Sequence, residues 1–139
     1  MPYPEAICTP MREDLTSVGF RELKTPEDVE ATFTESDKGT LLLVVNSVCG
    51  CAAGAARPGI KKAIANGKKP DKLTTVFAGQ DTEATAQARK HMVPYPPSSP
   101  SIALYKDGKL VHFIERHLIE GRPADMIADN LKAAFEEYC

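Results

Sequence analysis

Cys49 and Cys51, separated only by Gly50, are the residues whose type and spacing point most directly to chemistry. They follow five consecutive aliphatic residues, Leu41 to Val45, and a short polar break at Asn46 and Ser47. They precede an alanine-rich run that reads as a helix, so both sulfurs fall at or beside its first turn. The unpaired N–H groups and the positive end of the helix dipole favour negative charge there, which lowers a thiol pKa and raises the thiolate fraction near neutral pH. The thiolate is the attacking species in thiol–disulfide exchange. Gly50 carries no side chain, so the backbone between the sulfurs is free to bend and an incoming partner can approach closely. A bond between Cys49 and Cys51 would close a very short, strained and easily reduced ring, which points to exchange and away from a structural staple.

Two other readings compete. A lone cysteine in a reducing compartment is most often a small buried hydrophobe, but a Cys-Gly-Cys placed between a buried strand and a helix start is poorly explained that way. The pair could also hold Cu(I) or form half of a zinc site. Cys8, Cys139, His91, His112 and His117 are the remaining Cys or His ligand candidates, and none forms a second close pair.

The 139 residues suit one domain, 1–139, with a core large enough to fold without disulfides or metal. An apolar content of 42% and a charged content of 26% are those of a globular chain, and a formal charge of -2 gives no reason to expect nucleic acid or an anionic membrane as partner. Lys61, Lys62, Lys68 and Lys69 read as a solvated helix end. No apolar segment is long enough to span a bilayer and the first forty residues show no secretory signal, so a cytoplasmic location is expected. Four cysteines in that compartment argue for catalytic, redox or incidental thiols.

The elements that must position the sulfurs follow from pattern. An extended lead-in through the first eight residues is followed by a helix from Thr9, with Pro10 at its first position, Met11, Leu15 and Val18 on one face, and Gly19 as the stop. Phe20 to Lys24 reads as a short strand. Thr25, Pro26, Glu27 and Asp28 give a helix cap, a first-turn proline and early acids. After the central strand, the helix from Cys51 to Asn66–Gly67 carries Gly54, Pro58 and Gly59 inside it and is expected to bend or break about two turns in. Leu73 to Ala78 reads as a buried strand, and Asp81 or Thr82 caps a helix through Met92. A proline-rich connection, residues 94–100, leads into a hairpin of 101–105 and 110–114 turned at Asp107-Gly108. The last helix starts at Gly121-Arg122-Pro123 with a stripe of Ile127, Leu131, Ala134, Phe135 and Tyr138. Single helices between strands imply parallel pairing, and the hairpin adds an antiparallel edge. The expected class is α/β, a central mixed sheet flanked by helices on both faces with an extra N-terminal helix.

That element order resembles the thioredoxin-like arrangement. In such folds the proline before the hairpin is cis and its loop faces the active thiol, which selects Pro100. The segments Asn46 to Ala52, Arg57-Pro58, Val76 to Asp81, Tyr95 to Ser101, Glu115-Arg116-His117 and Glu136 to Cys139 together resemble the bacilliredoxin family, over residue 19 to the end. Cys8 and the lead-in stand outside the family's pattern. The resemblance implies removal of bacillithiol from mixed disulfides on proteins, or alternatively general thiol–disulfide isomerisation. It maps the nucleophile to Cys49 and the second thiol to Cys51, with Cys49 the exposed sulfur and Cys51 the more covered one. It further implies no tightly bound cofactor, bacillithiol as thiol substrate and co-reductant, and bacillithiolated client proteins and a low-molecular-weight thiol as partners. Ser99, Pro100 and Gly50 are expected to shape the partner groove, with Tyr95 beside them. Glu115, Arg116 and His117 close the hairpin, where Arg116 or His117 would favour the thiolate and Glu115 would oppose it. His91 and His112 are expected to serve only surface or half-buried packing.

Overall fold

The computed structural model describes residues 2–139. Its centre is β2 (Thr40–Asn46), every residue of which is buried. Leu42 and Val44 point into one apolar cluster with Ile60, Ala63, Ile127, Leu131 and Phe135, whereas Leu41, Leu43 and Val45 point into a second with Val29, Ala84, Ala88 and Met92. The unbroken aliphatic run thus serves a strand covered on both sides, with side chains alternating between the two layers.

The five-stranded sheet runs β1-β3-β2-β4-β5. β1 (Arg21–Glu22) and β3 (Lys72–Phe77) lie parallel to each other and β3 parallel to β2, whereas β4 (Ser101–Lys106) is antiparallel to β2 and to β5 (Lys109–Ile114). The hairpin turn places Asp107 at φ 51° and Gly108 at φ 80°. Two successive positive φ values match the twist of paired strands, and Asp-Gly supplies them at low cost. α3 (Arg57–Ile64) and α5 (Ala124–Tyr138) pack on one face, while α2 (Pro26–Glu35) and α4 (Thr82–Arg89) pack on the other. Gly59 lets the first pair approach closely, since a Cβ there would lie 2.7 Å from the Ile127 Cβ and 2.9 Å from the Ala124 carbonyl oxygen. α2 starts as its residues dictate: the Thr25 hydroxyl accepts from the Asp28 N–H at 3.0 Å, with Pro26 in the first turn. No helix among the described residues is long and apolar enough to cross a membrane.

The N-terminal expectation is corrected. α1 (Glu5–Thr16) starts four residues before Thr9 and carries Pro10 inside it. Its buried stripe is Cys8, Arg12 and Leu15, in place of the expected Met11, Leu15 and Val18. Tertiary contacts outweigh the local cost of the proline. Arg12 donates to Glu5, to Glu22 at 2.6 Å and to Asp81 at 2.7 Å, tying the helix to β1 and to the start of α4. Asp81 therefore stands at the head of α4 without capping it through its side chain. The bend expected after Cys51 is a π-helical turn over Ala52–Ala56, which leads into α3 with Pro58 in that helix's first turn. Such turns insert one extra residue into a helix and often mark functional sites. α3 and α4 end earlier than expected, at Ile64 and Arg89.

Candidate active site

β2 delivers the chain to Asn46 and Ser47, and a buried polar network fixes those two residues. The Asn46 side chain donates to the Met11 carbonyl at 3.1 Å, and its oxygen accepts from the Ser47 N–H at 2.9 Å and from Arg57 at 2.9 Å. Arg57 is 3% exposed; it also donates to the Ser47 carbonyl at 2.8 Å and to Asp14 at 3.1 Å. A buried guanidinium is tolerable only when satisfied in this way. The result is a rigid support directly behind the two sulfurs.

Ser47 passes that rigidity forward. Its hydroxyl accepts from the Cys49 N–H at 3.3 Å and donates to the Cys49 sulfur at 3.1 Å. The Cys49 carbonyl accepts from the N–H groups of Ala52 at 3.1 Å and Ala53 at 3.2 Å, so Cys49 stands where the helical segment begins. The sulfurs of Cys49 and Cys51 are 2.7 Å apart, with no disulfide between them. Burial alone would push the Cys49 thiol up. Hydrogen bonds from the Cys51 thiol, the Ser47 hydroxyl and the Ala52 and Cys51 amides outweigh it and hold Cys49 below the ordinary thiol range. Cys51 moves the other way: burial, and then its role as donor to an ionised Cys49, push it up, with Arg116 pulling against them.

Both cysteines are half-buried. They differ in hydrogen bonding, and Cys51 also packs against the larger apolar cluster. Gly50 needs no special backbone conformation. It is exposed, and a Cβ added there would meet nothing within 4 Å, so the glycine contributes open space and is not required for a bend.

A cleft of about 360 Å³ opens beside Cys49, lined by Tyr3, Ser47, Ser99, Arg89 and Arg116 among others. The Ser99–Pro100 peptide is cis, as is Val93–Pro94, for which the sequence offered no particular expectation. Pro100 is buried, and the carbonyl of Ser99 before it accepts from Arg116 at 3.1 Å. Of the three hairpin-end residues, Arg116 reaches this cleft, whereas His117 and Glu115 face each other at 3.4 Å. Tyr95 stacks on Phe113 at 4.4 Å between ring centroids, and the aromatic lining the cleft is instead Tyr3. His91 stacks on Phe33 and contacts Glu30, and His112 contacts Asn130, which is packing of the kind expected of them. Cys8 is fully buried in α1, and Cys139 is exposed at the chain end. Among the described residues no cluster of three or more His, Cys, Asp or Glu side chains is arranged as a metal site.

Ser47, Arg57, Arg89 and Tyr3 received no role from the sequence. The polar break after the aliphatic run, and a lone arginine in a run of small residues, were the available signals for Ser47 and Arg57. Nothing local marks Arg89 or Tyr3.

A family model described as disulphide isomerase matches residues 3–139. A bacilliredoxin of Cytophaga hutchinsonii is 57% identical over 135 residues, covering 97% of this chain and 98% of that protein. A bacilliredoxin of Halalkalibacterium halodurans is 53% identical, covering 99% of this chain and 94% of its own length. The likeness therefore includes α1 and the lead-in before it, which corrects the expectation that it begins at residue 19. Among solved structures, Fasciola hepatica thioredoxin superposes with a TM-score of 0.59 at 23% identity, covering 86% of this chain and all of that one. A putative oxidoreductase with a thioredoxin fold gives 0.62 at 14% identity, covering 85% of this chain and 96% of the other. The fold is thus thioredoxin-like.

Proposed function

The chain belongs to the bacilliredoxin family and is a thiol–disulfide oxidoreductase, and from that premise we propose that it removes bacillithiol from mixed disulfides on client proteins. One observation carries the choice of attacker: the Cys49 sulfur receives the Ser47 hydroxyl at 3.1 Å and lines the cleft, whereas Cys51 packs against the larger apolar cluster and does not line it. In the first step the Cys49 thiolate attacks the bacillithiol sulfur and forms a new S–S bond. The bond to the client breaks, and the client sulfur leaves with the electron pair as a thiolate. A second bacillithiol then attacks the adduct, or Cys51 attacks it and leaves a Cys49–Cys51 disulfide for an external thiol to reduce. Bacillithiol serves as substrate and co-reductant, no tightly bound cofactor is needed, and the cytoplasm, where thiols are kept reduced, is the setting.

The test is mass spectrometry of the chain after mixing with a bacillithiolated protein. The bacillithiol mass is expected on Cys49. Cys49→Ser abolishes transfer, and Cys51→Ser accumulates the Cys49 adduct. Full activity in Cys49→Ser, or an adduct only on Cys51, overturns the assignment. The description of the matched family favours a second reading, general disulfide isomerisation. Faster reactivation of a protein with scrambled disulfides than release of bacillithiol would favour that reading.

A further inference from the structure

The arginines of this chain differ in how their charge is met. Arg12 and Arg57, the two that are buried, each donate to at least one carboxylate. Arg116 donates to the Ser99 carbonyl and, at 3.0 Å, to Glu120. Arg89, in the last turn of α4, lines the cleft beside Cys49, and its side chain makes no hydrogen bond or ion pair among the described residues. Its Nε is shielded from solvent and has no acceptor among the described residues. Burial pushes its guanidinium down, as befits a cation taken out of water without compensation. A buried donor without a partner is costly and calls for an explanation in the site's own chemistry.

We propose that Arg89, with Arg116 beside it, receives a carboxylate carried by the small thiol that Cys49 takes up. This rests on the exchange reading above and names Arg89 as the residue by which the cleft selects a carboxylate-bearing thiol. A guanidinium presents a planar fork of donors that matches a carboxylate in two-point contact. The cleft has the volume of a small-molecule site and adjoins the reacting sulfur, so it suits the group retained on Cys49 better than a side chain of a folded client. A neutral thiol would leave the Arg89 guanidinium beside the cleft without a counter-charge, and a site built around such a cation disfavours the analogue that cannot meet it.

Three mixed disulfides test this. The first joins 3-mercaptopropionate to 2-thiopyridine, the second joins 2-mercaptoethanol to 2-thiopyridine, and the third joins 2-mercaptoethanol to 6-mercaptonicotinate, which carries the carboxylate on the departing thiol. Cys49 attacks the aliphatic sulfur, the aromatic thiolate leaves with the electron pair, and its absorbance gives the rate while mass spectrometry confirms the aliphatic adduct. The full-length protein is expected to prefer the first substrate over the second by about tenfold. Arg89→Gln brings that ratio close to one, Arg89→Lys retains part of it, and the third substrate shows no loss of rate specific to Arg89→Gln. Equal rates for the first two substrates in the unaltered protein overturn the proposal, as does a ratio unchanged by Arg89→Gln. A dependence on Arg89 that follows the departing thiol overturns it in favour of an acidic client residue. Failure of all three to modify Cys49 removes the exchange reading itself, a different result from equal rates.

Discussion

Replacing Ser47 with alanine isolates what one hydroxyl contributes to the reactivity of Cys49. The change removes the hydrogen bond to the sulfur at 3.1 Å, together with the hydroxyl's longer contact from the Cys49 N–H at 3.3 Å, and leaves the Ser47 backbone groups, which pair with Asn46 and Arg57, in place. A hydrogen bond to a charged acceptor is worth about 1.5–3 kcal/mol. Cys49 is half-buried and therefore partly screened, so the lower end, about 1.5 kcal/mol, applies. That amounts to about tenfold in thiolate population at any pH below both midpoints. The surviving thiolate is more nucleophilic, and a Brønsted coefficient of about 0.4–0.5 returns about threefold of the loss. Ser47→Ala is therefore expected to react about three- to fourfold more slowly on the acid side and about threefold faster above both midpoints, with the midpoint moved to higher pH. Stopped-flow reaction with 2,2′-dithiodipyridine between about pH 4 and 10, following the first thiopyridone released, records both limbs. Crossing curves are the signature. Superimposable profiles, or a variant slower by the same factor at every pH, would refute the reasoning, the second because it would make the hydroxyl a positioning group only.

Two further predictions concern the frame around the sulfurs. Gly59→Ala drives a methyl against Ile127 and the Ala124 carbonyl and should cost about 1–3 kcal/mol. With an unfolding entropy of about 2.1 cal/mol/K per residue over 139 residues, that lowers Tm by about 3–10 °C. Gly54→Ala, which meets nothing within 4 Å, should leave Tm unchanged or slightly higher, and equal effects at the two glycines in a melting experiment would contradict the packing described. Arg57→Met strips a donor from the Asn46 oxygen and the Ser47 carbonyl. With partly exposed Asp14 as its counter-ion, this should cost about 2–4 kcal/mol in urea unfolding and slow exchange at Cys49 as Ser47 loosens. An unshifted urea midpoint would show that the network contributes nothing.

The parts of this molecule legible in its sequence are those that neighbouring residues decide. Leu41 to Val45 could only be a strand covered on both faces, Asp107-Gly108 only a tight hairpin turn, and Thr25-Pro26 a helix start, because each depends on conformation or burial within a few residues. The sulfur at a helix start, held below the ordinary thiol range, was legible for the same reason. What was not legible depends on partners distant in the chain. Pro10 reads as a helix start, yet Arg12 meets Asp81, 69 positions later, and that junction carries the helix through the proline. The same pairing turned the Asp81 side chain away from the cap its position suggested. The difference between Cys49 and Cys51 likewise comes from which groups donate to which sulfur, something that a two-residue spacing does not encode.

Tyr3 anchors its backbone to the Gln80 side chain in both directions, at 2.9 and 2.8 Å, and so forms one bank of the cleft beside Cys49. Affinity tags and fluorescent fusions joined ahead of that tyrosine would therefore hang over the mouth through which thiols arrive. Protein for kinetics is better labelled behind α5, and an apparent loss of turnover in an amino-terminally tagged preparation would reflect an obstructed doorway before any defect in the sulfur chemistry.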